Sequence, residues 1–80
     1  MAPQEVRKFV VEEPFVPFRL HVSDGASYDI AHPSEIVVFP LHVLIALDPD
    51  ESGLYRRSVR VAPNHITRIE FLPDREKLKA

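Results

Sequence analysis

The chain contains no cysteine, which removes disulfides, thiolate metal sites and cysteine nucleophiles together. That absence fits a reducing compartment. Only two glycines occur, Gly25 and Gly53, so a glycine-rich loop able to cradle phosphate is excluded. No charge of one sign dominates. Ten Lys and Arg face twelve Asp and Glu, for a formal net charge of −2, so no global positive field draws the chain to nucleic acid or anionic lipid. Long apolar runs are missing too. The longest, residues 36–47, is broken by Pro40 and His42 and is too short to span a bilayer. The opening Met1-Ala2-Pro3-Gln4-Glu5 lacks the basic head and apolar body of a signal peptide. A cytoplasmic protein is the expectation.

Eighty residues leave room for one domain, residues 1–80, and one core. A chain of this size buries only about 60% of the surface that its unfolded form exposes, so help from self-association is expected once disulfides are gone. Eight prolines against two glycines point to short elements separated by rigid corners.

The best-specified stretch begins at Pro14. Val16, Phe18, Leu20 and Val22 alternate with Pro17, Arg19, His21 and Ser23, the period-2 pattern of a half-buried strand. Asp24-Gly25 supplies the positive-φ residue of a tight turn. Tyr28 and Ile30 return along a second strand.

Residues 3–13 form the one expected helix, with an extended, partly ordered arm as the alternative reading. Pro3 suits a first-turn position, Val6, Phe9 and Val10 make a narrow apolar stripe, and Pro14 ends the segment. At about three turns it must lean on the sheet to be stable, with Phe15 and Phe18 as natural contacts. Further on, Pro33 makes a corner, and 36–39 and 41–48 read as apolar strand segments around Pro40. The second of these places Leu41, Val43, Ile45 and Leu47 on one face. Whether 36–47 is one bent strand or two is left open by the pattern. The turn Asp48-Pro49-Asp50-Glu51-Ser52-Gly53 follows. The next strand has Tyr55, Val59 and Val61 on its inner face beside Arg57, with Leu54, Arg56, Ser58 and Arg60 outside. After a sharp connection at 62–65, the last strand places Thr67, Ile69 and Phe71 opposite Ile66, Arg68, Glu70 and Leu72. Residues 73–80 read as a flexible charged tail.

The fold class expected is therefore mainly β. One short N-terminal helix precedes a five- to six-stranded meander over 16–72, forming an SH3-like or Sm-like barrel or a strongly twisted antiparallel sheet.

The opening helix and three stretches carry a resemblance: Pro14-Phe15-Val16-Pro17-Phe18 running to Asp24-Gly25, His32-Pro33-Ser34-Glu35, and His65-Ile66-Thr67-Arg68-Ile69-Glu70. Together they resemble a family of small bacterial proteins with a Pro-Phe-x-Pro-Phe opening that runs to Asp-Gly. That family also has a His-Pro-(x)-Glu corner and a closing Ile-x-x-Ile-Glu strand. The resemblance covers most of the chain and implies a common fold. The family carries no established activity, so it implies no catalytic residues.

Chemistry-bearing groups are present but not arranged for catalysis. His21, His32, His42 and His65 include no His-x₃-His pair on one element, so no metal site is expected. Asp48, Asp50 and Glu51 share one turn, where solvation is the default, and the ligand pattern of an EF-hand is missing. No serine lies in a nucleophile elbow. No catalytic residue, cofactor or enzyme activity is expected.

Two surfaces remain. Arg19, Arg56, Arg60 and Arg68 fall on outward parities, and on adjacent strands they would form a basic stripe for RNA or single-stranded nucleic acid. Outward aromatics for stacking are lacking. Leu44, Ala46, Leu54 and Leu72 are outward apolar residues, and a contiguous patch of them would mark an interface. The leading expectation is a non-enzymatic binding or scaffold module that docks a protein partner or itself as a homodimer. Nucleic-acid binding is the alternative.

Overall fold

A computed structural model describes residues 1–72 of the chain. The charged tail expected at 73–80 lies outside the described residues. One helix, α1 (Pro3–Val10), precedes six strands: β1 (Phe18–Val22), β2 (Ser27–Ile30), β3 (Ile36–Val38), β4 (Val43–Pro49), β5 (Tyr55–Val61) and β6 (Ile66–Phe71). Short 3₁₀ turns at Pro33–Glu35 and Pro63–His65 precede β3 and β6. Among the described residues no helix is long and apolar enough to cross a membrane.

All pairings are antiparallel, and they divide the strands into two sheets, ordered β2-β1-β6 and β3-β4-β5. Among the described residues the strand pairings close no barrel, and none links the two sheets. The second sheet is a meander. The first is not, because the last strand returns to pair with β1. Two proline corners cause the division: Pro33 and Pro63 each open a 3₁₀ turn, and proline has no ladder donor with which to carry a strand through. The apolar run 36–47 is thereby two strands, with a turn at Pro40 whose Phe39 N–H donates to the His42 carbonyl at 2.8 Å.

The two sheets contribute equally to the core. Phe18, Leu20, Ile30 and Ile66 come from the first, Ile36, Val43, Ile45 and Val61 from the second, and Val6 from the helix. No polar or charged residue is buried among those described. Helix α1 lays its stripe on this core as expected, and Phe9 packs against both Phe18 and Phe71 at centroid distances of 5.8 and 5.5 Å. Phe15 meets Phe18 at 5.8 Å from the other side. The helix stops at Val10 rather than running to residue 13, because Val11, Glu12 and Glu13 are exposed and add nothing to the buried stripe.

Two hairpin turns share one construction. Gly25 and Gly53 sit at φ of 93° and 90°, the left-handed region that glycine enters without a Cβ penalty. Gly25 N–H donates to the Val22 carbonyl and Gly53 N–H to the Asp50 carbonyl, both at 3.0 Å. In each turn an aspartate braces the backbone. Asp24 accepts from Ala26 N–H at 2.9 Å, and Asp50 accepts from Ser52 N–H, Ser52 Oγ and Leu54 N–H. The Ser52 hydroxyl, with backbone donors behind it, holds the Asp50 carboxyl below the usual carboxylate range.

β6 departs from simple alternation. Leu20 pairs with Ile69 and His21 with Arg68, yet Val22 pairs with Ile66, so one extra residue, Thr67, is accommodated in a bulge. Both Ile66 and Ile69 therefore face the core, where strict parity placed them on opposite faces. Thr67 Oγ1 donates to the His21 carbonyl at 3.3 Å. β1 also begins later than the pattern implied: Val16 precedes the strand and is exposed.

Candidate docking surface

The outer faces of the two sheets differ in kind. On the first, Asp29, Arg19 and Glu70 stand in one rung across β2, β1 and β6. Arg19 Nε and Nη2 donate to the two carboxylate oxygens of Asp29 at 2.6 and 3.1 Å, a bidentate pair. That bond raises the Arg19 pKa above its ordinary value. Glu70 also hydrogen-bonds His21 at 2.9 Å. The His21 bond and the positive charges of Arg68 and Arg19 hold the Glu70 carboxyl below the usual range. This face answers its own charges.

On the second sheet, Val37, Leu44 and Arg60 share one rung, and Ala46 stands opposite Ser58 in the next used outward position. Val37 is 47% exposed and Leu44 and Ala46 are half-buried. Beyond the end of β3, Phe39 is exposed as well, and Leu41 is 86% exposed at the tip of the turn. Pro40 stiffens that tip, and the ring of His42 stacks on Phe39 at 4.5 Å. Two concavities flank Pro3 and Pro40. One of about 480 Å³ also touches Leu41 and Pro63, and one of about 390 Å³ runs along Arg7, Val38 and Phe39.

The sequence-predicted interface residues are not brought together. Leu44 and Ala46 lie on the outer face just described. Leu54, 71% exposed, follows the turn at Gly53, at the far end of β4 from Leu41. Leu72 follows β6 and donates its N–H to the Pro17 carbonyl at 2.9 Å, beside the first sheet. The four arginines also divide. Arg19 and Arg68 lie on the first sheet, opposite Asp29 and His21 respectively. Arg56 and Arg60 are on β5 of the second.

Sequence reasoning misses Val37, Phe39 and above all Leu41, because simple alternation puts Leu41 on the same face as Val43. The signal was present: Val37 and Phe39 share a parity opposite to the buried Ile36 and half-buried Val38, and proline before Leu41 marks it as a turn residue.

Three of the four histidine rings have a local partner. His21 bonds Glu70, His42 stacks on Phe39, and His65 Nδ1 lies 2.9 Å from Ser23 Oγ. His32 opens the corner in which the Glu35 carboxylate accepts from the backbone N–H groups of Ala31 and His32 at 2.7 and 2.8 Å. Among the described residues no three His, Asp or Glu side chains gather to hold a metal ion. A scan against protein-family models finds no match to this chain, and searches of curated proteins and of solved structures find none either.

Proposed function

We propose that the protein is a non-enzymatic docking module that buries the outer face and tip of the β3–β4 hairpin against a protein partner, with a second copy of itself as the simplest one. The observation that carries this reading is Leu41, 86% exposed on a proline-stiffened turn and in the same hairpin as Phe39, Val37 and Leu44. Side chains of this size cost free energy in water, and exposed apolar surface gathered in one place marks interaction sites. A small core gives self-association an added advantage.

The arrangement of strands supports a finer reading of the fold. First and last strands pair, and a short 3₁₀ turn precedes the last strand, as in SH3-like and Sm-like modules left open between their halves. The motif resemblance to the small bacterial family fits the same picture. Its His-Pro-x-Glu corner is a backbone brace, and its Ile-x-x-Ile-Glu ending is a bulged core strand. Neither motif holds a reaction centre, and a cytoplasmic docking role accommodates both.

Burying one leucine is worth about 1.5–3 kcal/mol, so Leu41→Asp is expected to weaken association by about tenfold or more while the domain stays folded. Sedimentation equilibrium reads the first effect and far-UV circular dichroism the second. An unchanged distribution of species in the variant contradicts the proposal. The nucleic-acid alternative has less support, since Asp29 binds Arg19 and Glu70 lies close enough to Arg68 to respond to its charge.

A further inference from the structure

A separate surface lies where the two sheets part, between the β1–β2 turn and the C-terminal end of β5. It is a groove of about 380 Å³ with Val22, Tyr28 and Val59 as its floor. Ser23, Asp24 and His65 form one rim. The other rim is the strand β5 itself, since residues 59–62 line the groove consecutively. Among the described residues β5 pairs only with β4, so its second edge offers unpaired backbone N–H and C=O groups.

The side chains on that edge are specific about what they would accept. Arg56, Ser58 and Arg60 alternate with Arg57, Val59 and Val61. Arg57 is bound to Asp48. Among the described residues Arg56 and Arg60 have no carboxylate within ion-pair distance, in contrast to Arg19. On an extended strand residues four apart stand about 13 Å apart on the same face. The Asp24 carboxylate on the opposite rim, braced by Ala26 N–H, repels further negative charge there and confines an acid to the β5 side.

We propose that the free edge of β5 captures an extended acidic peptide by strand addition. The captured strand follows the pattern acid-apolar-polar-apolar-acid. Its two acids face Arg60 and Arg56, the apolar residue opposite Val59 descends into the groove beside Val22 and Tyr28, and the second apolar residue lies along the Arg57 side chain. Main-chain hydrogen bonds supply the affinity, and the alternating side chains supply the choice of partner. This surface meets the β3–β4 docking face at Arg60, which shares a rung with Leu44, but the tip at Leu41 lies outside it, so Leu41→Asp should leave peptide capture in place.

The test titrates the full chain into a fluorescein-labelled peptide with the core Glu-Val-Ser-Val-Glu and reads anisotropy at low and moderate salt. Saturable binding is expected. Methylating alternate backbone nitrogens of the peptide, which removes its strand-pairing donors, or exchanging its Glu residues for Lys should each weaken binding by about tenfold or more. Arg60→Glu should do the same, and amide exchange across 55–61 should slow when the unmodified peptide is present. The N-methylated peptide leaves the protein untouched, so the proposal does not depend on any variant folding. Equal binding of the N-methylated or the Lys peptide overturns it. So does the absence of saturable binding, or tighter binding of a single-stranded RNA of matching length than of the acidic peptide.

Discussion

The two sheets share a core but not a surface. Inward, each supplies four buried apolar side chains, and helix α1 closes the layer with Val6. Outward, β2-β1-β6 carries a ladder in which Asp29, Arg19, Glu70 and His21 satisfy one another. The face of β3-β4-β5 carries Val37 and Leu44 with no charge of their own and two arginines that, among the described residues, have no carboxylate within ion-pair distance. Cross-strand charge pairs finish a solvated face. An apolar column flanked by arginines is the kind of face that interaction sites present, so the proposed recognition rests on one sheet while both supply the core.

The largest expected effects fall where the sheets are alike. Phe18→Ala in the first sheet and Ile45→Ala in the second each empty a fully buried site. Each should cost about 2–5 kcal/mol, much of the stability of a small domain. Urea denaturation checks this, and a silent Ile45→Ala would break the claim of a shared core.

Next come the outer faces, where the sheets should diverge. Val37→Glu is expected to weaken self-association by about tenfold with stability changed by less than about 1 kcal/mol. His21→Gln on the other face should leave association unaltered. Sedimentation equilibrium on both variants sharpens the contrast, and equal weakening would erase it.

A smaller effect concerns acid. Glu70 and Asp50 have folded pKa values below their unfolded ones. Their contribution is therefore complete above the unfolded carboxylate range, near pH 5, and is lost as pH falls through about 4 and below. Both groups are exposed, so the change is modest. Glu70→Gln should flatten the acid limb of a stability profile measured between pH 6 and 3 without moving the neutral end beyond the loss of its His21 bond. A limb that steepens in the variant contradicts the assignment.

The smallest is an expected near-absence. With Arg19 bound by Asp29 and Glu70 beside Arg68, a mobility shift with mixed RNA at low salt should show little retardation, and Arg68→Gln should change it no further. Strong retardation that falls steeply with salt would restore the nucleic-acid reading.

Much of the fold was legible because local chemistry and global packing agree. Alternation through Phe18, Leu20, Tyr28 and Ile30 named the inner face of the first hairpin, Asp24-Gly25 named its turn, and Val6, Phe9 and Val10 named the buried helix stripe. Legibility failed where the pattern was degenerate. The run 36–47 is apolar on both parities, so alternation alone could not assign Leu41, and only the turn forced by Pro40 exposes it. In β6 the bulge at Thr67 changes parity midway; the spacing of Ile66 and Ile69 hints at it, but the partner strand decides it. The division into two sheets depends on the Pro33 and Pro63 corners acting together, a tertiary outcome that no single stretch contains. The docking surface was legible only in part for the same reason: Leu44 and Ala46 were named by parity, while Leu54 and Leu72 share that parity and lie elsewhere.

Sedimentation equilibrium over a wide concentration range probes the tip of the β3–β4 hairpin without intermediaries. The wild-type chain is predicted to form a reversible higher-mass species that Leu41→Asp shifts to concentrations about tenfold higher or more. A wild-type chain and a folded Leu41→Asp variant with the same distribution of species at every concentration would contradict the proposed docking role.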